Sequence, residues 1–173
     1  MPHRITTLLQ PGDLKPGVSY VIAANHESII DPFVICSVLS PALWRRLRSF
    51  RFFAYNGLFR PYWLRMALLA LGCFPAREHQ RYVYGLDAAA SFIARGQTVV
   101  IFPQGKRTLG RGRAHRGVEV LARMANVRVI PAHIEWQKLG KWRRGFRLTI
   151  GQPLDGRARS ADQLLDAIYG LDV

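Results

Sequence analysis

The chain alternates short runs of consecutive apolar residues with stretches in which apolar positions recur every three or four residues. Ser19 to Ala24 (SYVIAA), Arg51 to Tyr55, Cys73 to Ala76, Thr98 to Phe102 (TVVIF), Val127 to Ile134 (VRVIPAHI) and Phe146 to Ile150 are of the first kind and predict strands. Pro32 to Leu39, Pro61 to Leu71, Gly85 to Arg95, Gly117 to Ala125 and Ala161 to Tyr169 are of the second kind and predict helices. Pro32 suits a first helical position, and Gly96 fits a C-terminal cap. The Arg-rich stretch before Arg51 reads as a connection. Strands that are apolar on both faces and separated by helices imply an α/β fold, with a mostly parallel central sheet flanked by helices. Such sheets place their sites at the carboxyl ends of the strands.

Composition narrows this only slightly. A length of 173 residues with 49% hydrophobic content supports one core, and no repeat, low-complexity tract or boundary divides it, so residues 1–173 are expected to form a single domain. The net charge of +14, from 25 Lys and Arg against 11 Asp and Glu, attracts anionic surfaces: phospholipid headgroups, nucleic acid or phosphorylated metabolites. Cys36 and Cys73 lie far apart in apolar surroundings and read as buried thiols of a reducing compartment. No stretch has signal-peptide character, and no window offers the 18 or so uncharged residues of a membrane span. The expectation is a cytoplasmic protein that, if it meets a membrane, lies on its cytoplasmic face.

Two polar clusters carry the chemistry. The first, Ala23 to Phe33 (AANHESIIDPF), leaves the SYVIAA strand and sets His26 and Asp31 five residues apart. On a straight helix that spacing separates two side chains by roughly 140°, so contact requires a turn or a helix start between them. Asp31 could then accept a hydrogen bond from one ring nitrogen of His26 and leave the other as a base, a serine triad's logic with a substrate hydroxyl as the nucleophile. Equally, Asp31 followed by Pro32 is a good helix-capping pair whatever His26 does. The second cluster, Ile101 to Thr108 (IFPQGKRT), leaves another strand and turns at Pro103 and Gly105, so that backbone N–H groups, Lys106 and Arg107 can converge on an anion.

Together these stretches resemble the glycerolipid acyltransferase family, whose best-known members are the lysophosphatidate (1-acylglycerol-3-phosphate) O-acyltransferases. The family's N-H-x-x-x-x-D motif matches Asn25, His26 and Asp31, with Ser28 at a position where serine is frequent. Its F-P-E-G-T-R-S motif is similar to Phe102–Thr108, its arginine motif to Gly72–Arg77, and its proline-containing strand motif to Val129–Pro131. Four blocks in the right order span residues 19 to about 151.

The resemblance implies a glycerol-3-phosphate acyltransferase-like fold and the transfer of a fatty acyl group from acyl-CoA or acyl-carrier protein to the hydroxyl of a lysophospholipid. His26 would be the general base and Asp31 its orienter. Arg77, Lys106 and Arg107, with Gly105 shaping the loop, would hold the acceptor phosphate. Asn25, Ser28 and Gln104 would support the site, and Pro131 would belong to its acyl or donor side. Neither metal nor cofactor is implied, the acyl thioester being a substrate. Gln104 stands where the family usually has Glu and Lys106 where it usually has Thr, which makes the loop more cationic by two units and favours an anionic acceptor.

Few residues precede His26, so membrane contact is expected from elsewhere. Leu43 to Leu71 interleaves Trp44, Phe50, Phe52, Phe53, Phe59, Tyr62 and Trp63 with six arginines, a pattern suited to anionic lipid, although any one aromatic is more often core. Trp136 to Arg147 reads as a second basic patch in a hairpin loop. Ser28 lacks a nucleophile elbow, and His3, His79, His115 and His133 show no metal-ligand spacing. Two alternatives stay open: the same chemistry on an ornithine-type or glycolipid acceptor, and a non-catalytic binder of anionic lipid or nucleic acid. The last lacks any visible nucleic-acid module.

Overall fold

A computed structural model describes residues 3–47, 49–76, 82–125, 127–138, 140 and 144–171. The elements run β1 (His3–Thr7), β2 (Tyr20–Ala24), α1 (Asp31–Ser37), α2 (Pro41–Leu47), β3 (Phe50–Ala54), α3 (Tyr62–Ala70), β4 (Cys73–Pro75), α4 (Tyr82–Ala94), β5 (Thr98–Ile101), α5 (Gly117–Ala125), β6 (Arg128–Lys138), β7 (Arg144–Ile150), β8 (Leu154–Asp155) and α6 (Ala161–Tyr169). The strands form one sheet in the order β1-β7-β6-β2-β5-β3-β4, with β8 paired to β6. All pairs are parallel except β6 with β7 and β6 with β8.

The two-sided apolar runs explain why the sheet is covered on both faces. Along β2, Val21 and Ala23 pack with residues of α4, α5 and α6, including Ile93, Leu121 and Leu165. Ile22 and Ala24 face the other way and pack with Ile35 of α1 and Leu43 and Leu47 of α2. Successive residues of a strand point to opposite faces, so a strand between two helical layers must be apolar at every position.

Every predicted strand and helix is present, with ends shifted by a few residues. The segment read as a connection contains α2, whose Leu43 and Leu47 are buried while Arg45 and Arg46 are exposed. The apolar positions four apart form the inner stripe of a short helix that its arginines obscure. β1 was not expected: its HRITT sequence is not an apolar run, and it lies at a sheet edge beside β7. β6 extends to Lys138, so Trp136 is a strand residue paired with Phe146 and not part of a loop. Asp31 is not the helix cap either. Ile30 occupies that position, and Asp31 is the first residue of α1.

β2 and β5 are adjacent and parallel, with Val21, Ile22 and Ala23 opposite Val99, Val100 and Ile101. Both therefore release their chains side by side at the same edge, where the two motif segments begin. The β2–β6 ladder ends at Ala24 and Ala132, and the wholly buried Asn25 supplies the next rung with its side chain. Asn25 Nδ2 donates to the Ile134 carbonyl and Oδ1 accepts from the Ile134 N–H, both at 2.7 Å. An amide can do both; a carboxylate or methyl group cannot. Asn25→Ala is expected to leave two buried backbone groups unpaired and to cost roughly 2–5 kcal/mol, read as a lower urea midpoint with an unchanged slope.

Candidate active site

The chain leaving β2 turns at once, and the turn is built around the Asp31 carboxylate. Its Oδ2 accepts from the backbone N–H groups of Glu27 (2.8 Å) and Ser28 (2.7 Å) and lies 2.9 Å from His26 Nδ1. Its Oδ1 accepts from the indole Nε1 of Trp136 at 2.8 Å. Asp31 is wholly buried, whereas the His26 side chain is 19% exposed. Because a carboxylate only accepts, Nδ1 of His26 is the donor in this pair, and Nε2 carries the lone pair of a neutral ring. Asp31 thus folds back over the residues preceding its own helix, and the five-residue spacing is that of a turn closed by a carboxylate.

The segment leaving β5 clamps the same histidine from the other side. The His26 ring stacks on Phe102, centroids 4.2 Å apart and planes 24° from parallel. The His26 N–H donates to Gln104 Oε1 at 2.9 Å, and the His26 carbonyl accepts from the Thr108 N–H at 2.8 Å. Gly105 closes a turn by donating to the Phe102 carbonyl, with φ +66°. A side chain there would be strained, and its Cβ would lie 2.9 Å from the His115 ring.

A cleft of about 1070 Å³ opens between the two segments, lined by His26, Glu27, Phe102, Lys106, Arg107 and His115 among others. Lys106 and Arg107 are both exposed and bring two cations to the cleft that His26 lines. Of the other residues singled out in the sequence, Ser28 sits in the Asp31 turn, while Asn25 and Gln104 are buried beneath it. Arg77 lies outside the described residues, as does His79; Ala76, just before them, lines the cleft. Pro131 is not brought to the cleft. It is buried in β6 opposite Ala23, and its carbonyl accepts from the Gly151 N–H. Its missing N–H points the same way, toward the place where β6 exchanges β8 for β7 as neighbour, so no ladder bond is lost.

Across this geometry the family assignment follows. A protein-family model described as Acyltransferase matches residues 8–135. The chain belongs to the acyltransferase family. These are the glycerolipid acyltransferases that its four motifs resemble. Among curated proteins, the 1-acyl-sn-glycerol-3-phosphate acyltransferase of Bacillus subtilis (strain 168) is 25% identical over 145 residues, which are 82% of this chain and 70% of that protein. Among solved structures, the 1-acyl-sn-glycerophosphate (LPA) acyltransferase PlsC of Thermotoga maritima matches with a TM-score of 0.65 and 19% identity, over 96% of this chain and 68% of that one. That likeness shows the shared fold.

Three parts of this acyltransferase's site were not legible from its motifs. Trp136 is 105 residues from Asp31 in sequence, and only the β2–β6 pairing brings them together. His115, for which the sequence showed no metal-ligand spacing and no role, is exposed and lines the cleft against Gly105. Glu27 is a second acid beside His26 and accepts weakly from the Trp136 N–H at 3.4 Å. Both cysteines are buried and free, and burial raises both thiols, Cys36 to about 12, so neither is a competent nucleophile near neutral pH.

Burial, assisted by the charges of Asp31 and Glu135, raises the Glu27 carboxyl above its ordinary range, against the lowering effect of the Trp136 N–H and His133. For an acid raised in the folded state, ionisation opposes folding. The destabilisation is absent below the ordinary carboxyl pKa and develops as pH rises through the raised one. Glu27→Gln, which keeps an acceptor for Trp136, is therefore expected to match the native protein in urea at pH 4 and to be the more stable of the two at pH 8.

Proposed function

We propose that the protein transfers an acyl group from acyl-CoA or acyl-carrier protein to the free hydroxyl of a lysophospholipid, with 1-acyl-sn-glycerol-3-phosphate as the acceptor. The observation that carries this reading is the 2.9 Å contact between His26 Nδ1 and the buried Asp31 carboxylate beside a cationic cleft. Nε2 of His26 removes the proton of the acceptor hydroxyl as its oxygen attacks the thioester carbonyl, while Asp31 holds the tautomer and balances the imidazolium. The proton then passes to the departing thiolate. Lys106 and Arg107, joined by Arg77, hold the acceptor phosphate, for which a guanidinium offers two donors in a fixed fork. The acceptor is the one for which the Bacillus subtilis relative is named.

His26→Ala is expected to lower kcat for acyl transfer to 1-acyl-glycerol-3-phosphate by about two to four orders of magnitude without unfolding the chain. Arg107→Ala is expected to raise the acceptor KM by about 10- to 100-fold, as loss of a charge-assisted hydrogen bond implies. Full turnover by His26→Ala would sink the mechanism. A panel of phosphate-free lysolipids then decides the acceptor class.

An acceptor of this kind resides in a bilayer, and α3 supports a peripheral mode of contact. None of its nine residues is buried. Leu64 and Leu68 are half-buried on its inner side, whereas Tyr62, Trp63, Met66 and Leu69 form an outer stripe, with Tyr62 77% and Trp63 72% exposed. Arg60 and Arg65 flank that stripe and are exposed. Apolar, aromatic and cationic groups in this order suit the interface of an anionic bilayer. Among the described residues no helix is long and apolar enough to cross a membrane.

The triple variant Tyr62→Ser, Trp63→Ser, Met66→Ser is expected to bind phosphatidylglycerol-containing vesicles at least about 100-fold more weakly, since each such side chain is worth about 1.5–3 kcal/mol on transfer from water. Co-sedimentation with and without anionic lipid measures this, and unchanged binding rejects α3 as the contact.

A further inference from the structure

The cleft rests on a buried amide that the base reading leaves without a role. Gln104 is 1% exposed, and every polar atom of its side chain is engaged. Oε1 accepts from the His26 N–H at 2.9 Å. Nε2 lies 2.9 Å from the carbonyl oxygens of both Gly110 and Arg111 and 3.1 Å from the Tyr169 hydroxyl. The two ends of the amide are not interchangeable: turned over, its NH₂ would meet the His26 N–H and its oxygen would meet two carbonyls. Those carbonyls come from the loop between the second motif and α5, at Gly110 and beside Gly112. Gly112 has φ +57°, a backbone that a side chain would strain, and a Cβ there would lie a tight 3.2 Å from Gln104 Nε2. The loop is fastened in turn to α6, by the ion pair of Arg111 with Asp166 and by the Tyr169 hydroxyl donating to the Gly110 carbonyl.

These contacts form one chain of hydrogen bonds from α6, through the loop and Gln104, to the main chain of His26. We propose that Gln104 is a positioning residue whose amide, accepting from His26 and donating to the Gly110–Arg111 loop, holds the base in register with Asp31, and that a carboxylate cannot take its place in this chain. In Gln104→Glu an ionised side chain could still accept from His26, but its second oxygen would face two carbonyl oxygens at 2.9 Å, with one neighbouring donor, the Tyr169 hydroxyl, already given to the Gly110 carbonyl. Protonated, the same side chain has one O–H for those acceptors, so part of the arrangement returns on acidification. The residue usual at this place in the resembling motif is thus expected to be the damaging substitution here. The catalytic part of the inference rests on His26 being the base; the structural part does not.

The test compares Gln104→Glu and Gln104→Met with the native protein by amide hydrogen exchange at His26 and by acyl-transfer kinetics across pH. Exchange requires no substrate. At neutral pH Gln104→Glu is expected to exchange the His26 amide at least tenfold faster. Its kcat is expected to fall by about 10- to 100-fold, the scale of a misplaced catalytic group, with the acceptor KM within about twofold of native. Both defects are expected to shrink as pH is lowered, starting above the ordinary carboxyl range near 4.3 because burial opposite two carbonyls favours the neutral acid, which regains a donor. Gln104→Met, with no polar atom to titrate, is expected to show a defect whose ratio to native does not change with pH.

Native exchange in Gln104→Glu at neutral pH overturns the proposal, and a defect in Gln104→Glu that is independent of pH overturns its hydrogen-bond basis. Faster exchange with native kcat overturns the catalytic part alone. If Gln104→Glu does not fold, Tyr169→Phe decides: loss of one acceptor at the far end of the amide is expected to speed His26 exchange several-fold, and unchanged exchange overturns the proposal. A native protein that turns over no thioester with any acceptor defeats the base reading, while exchange still judges the hold of Gln104 on His26.

Discussion

The site depends on the adjacency of two parallel strands. β2 and β5 lie side by side in the middle of the sheet, so segments nearly eighty residues apart in sequence leave it at the same edge, a few ångströms from each other. Neither segment makes a site alone. The turn after β2 supplies an imidazole and a buried carboxylate; the turn after β5 supplies a stacking ring, a buried amide and two cations. The hydrogen bonds linking them run through the main chain of His26, at its N–H and its carbonyl, so the ring is oriented by constraints on its backbone as well as on its Nδ1. Rotation of a side chain can escape one contact, but not contacts on both sides of its Cα.

Asp31 shows why a buried acid can serve as an anchor. A carboxylate removed from water costs several kcal/mol unless its lone pairs are filled. Here the donors come from three sources: the His26 ring, two successive backbone N–H groups, and an indole from β6. Removing the histidine leaves three of the four donors in place, so His26 can be deleted without leaving a bare charge. The same carboxylate ties the turn to β6, and the Asn25 rung ties it there again two residues earlier in β6. The edge of the sheet and the floor of the cleft are in this way one hydrogen-bonded unit.

Much of this was legible along the chain, and the parts that were not have identifiable causes. Two-sided apolar runs such as TVVI, bounded by turn residues, read as covered strands, and contact between His26 and Asp31 requires a turn or a helix start between them. What the local pattern could not decide was the role of the acid, because Asp followed by Pro satisfies a helix cap and a turn anchor equally; the structure chooses the anchor, with Ile30 as the cap. α2 was hidden because its exposed face is arginine, and Trp136 because its partner is set by strand register, which no local window contains. Substitution of Gln for the motif's usual Glu was visible as a change of charge. That its NH₂ answers two specific carbonyls could be known only once the glycine-rich loop was seen folded beneath it.

The aromatic and arginine-rich stretch shows how burial separates residues that composition groups together. Phe50 and Phe52 belong to the core, Phe53 and Phe59 pack against it, and Trp44 is fastened by its indole N–H to the Cys36 carbonyl while its ring meets Phe50 edge-on. Only Tyr62 and Trp63, of the seven, stand largely clear of the protein. A helix apolar on both sides is ordinarily buried on both sides, and α3 is covered on one. Its outer stripe follows Tyr55 and Asn56, which line the cleft at the end of β3. In sequence, α3 begins six residues after Asn56. On the proposed reading, with a lipid as acceptor, contact with a bilayer would supply the cover that the outer side of this helix lacks.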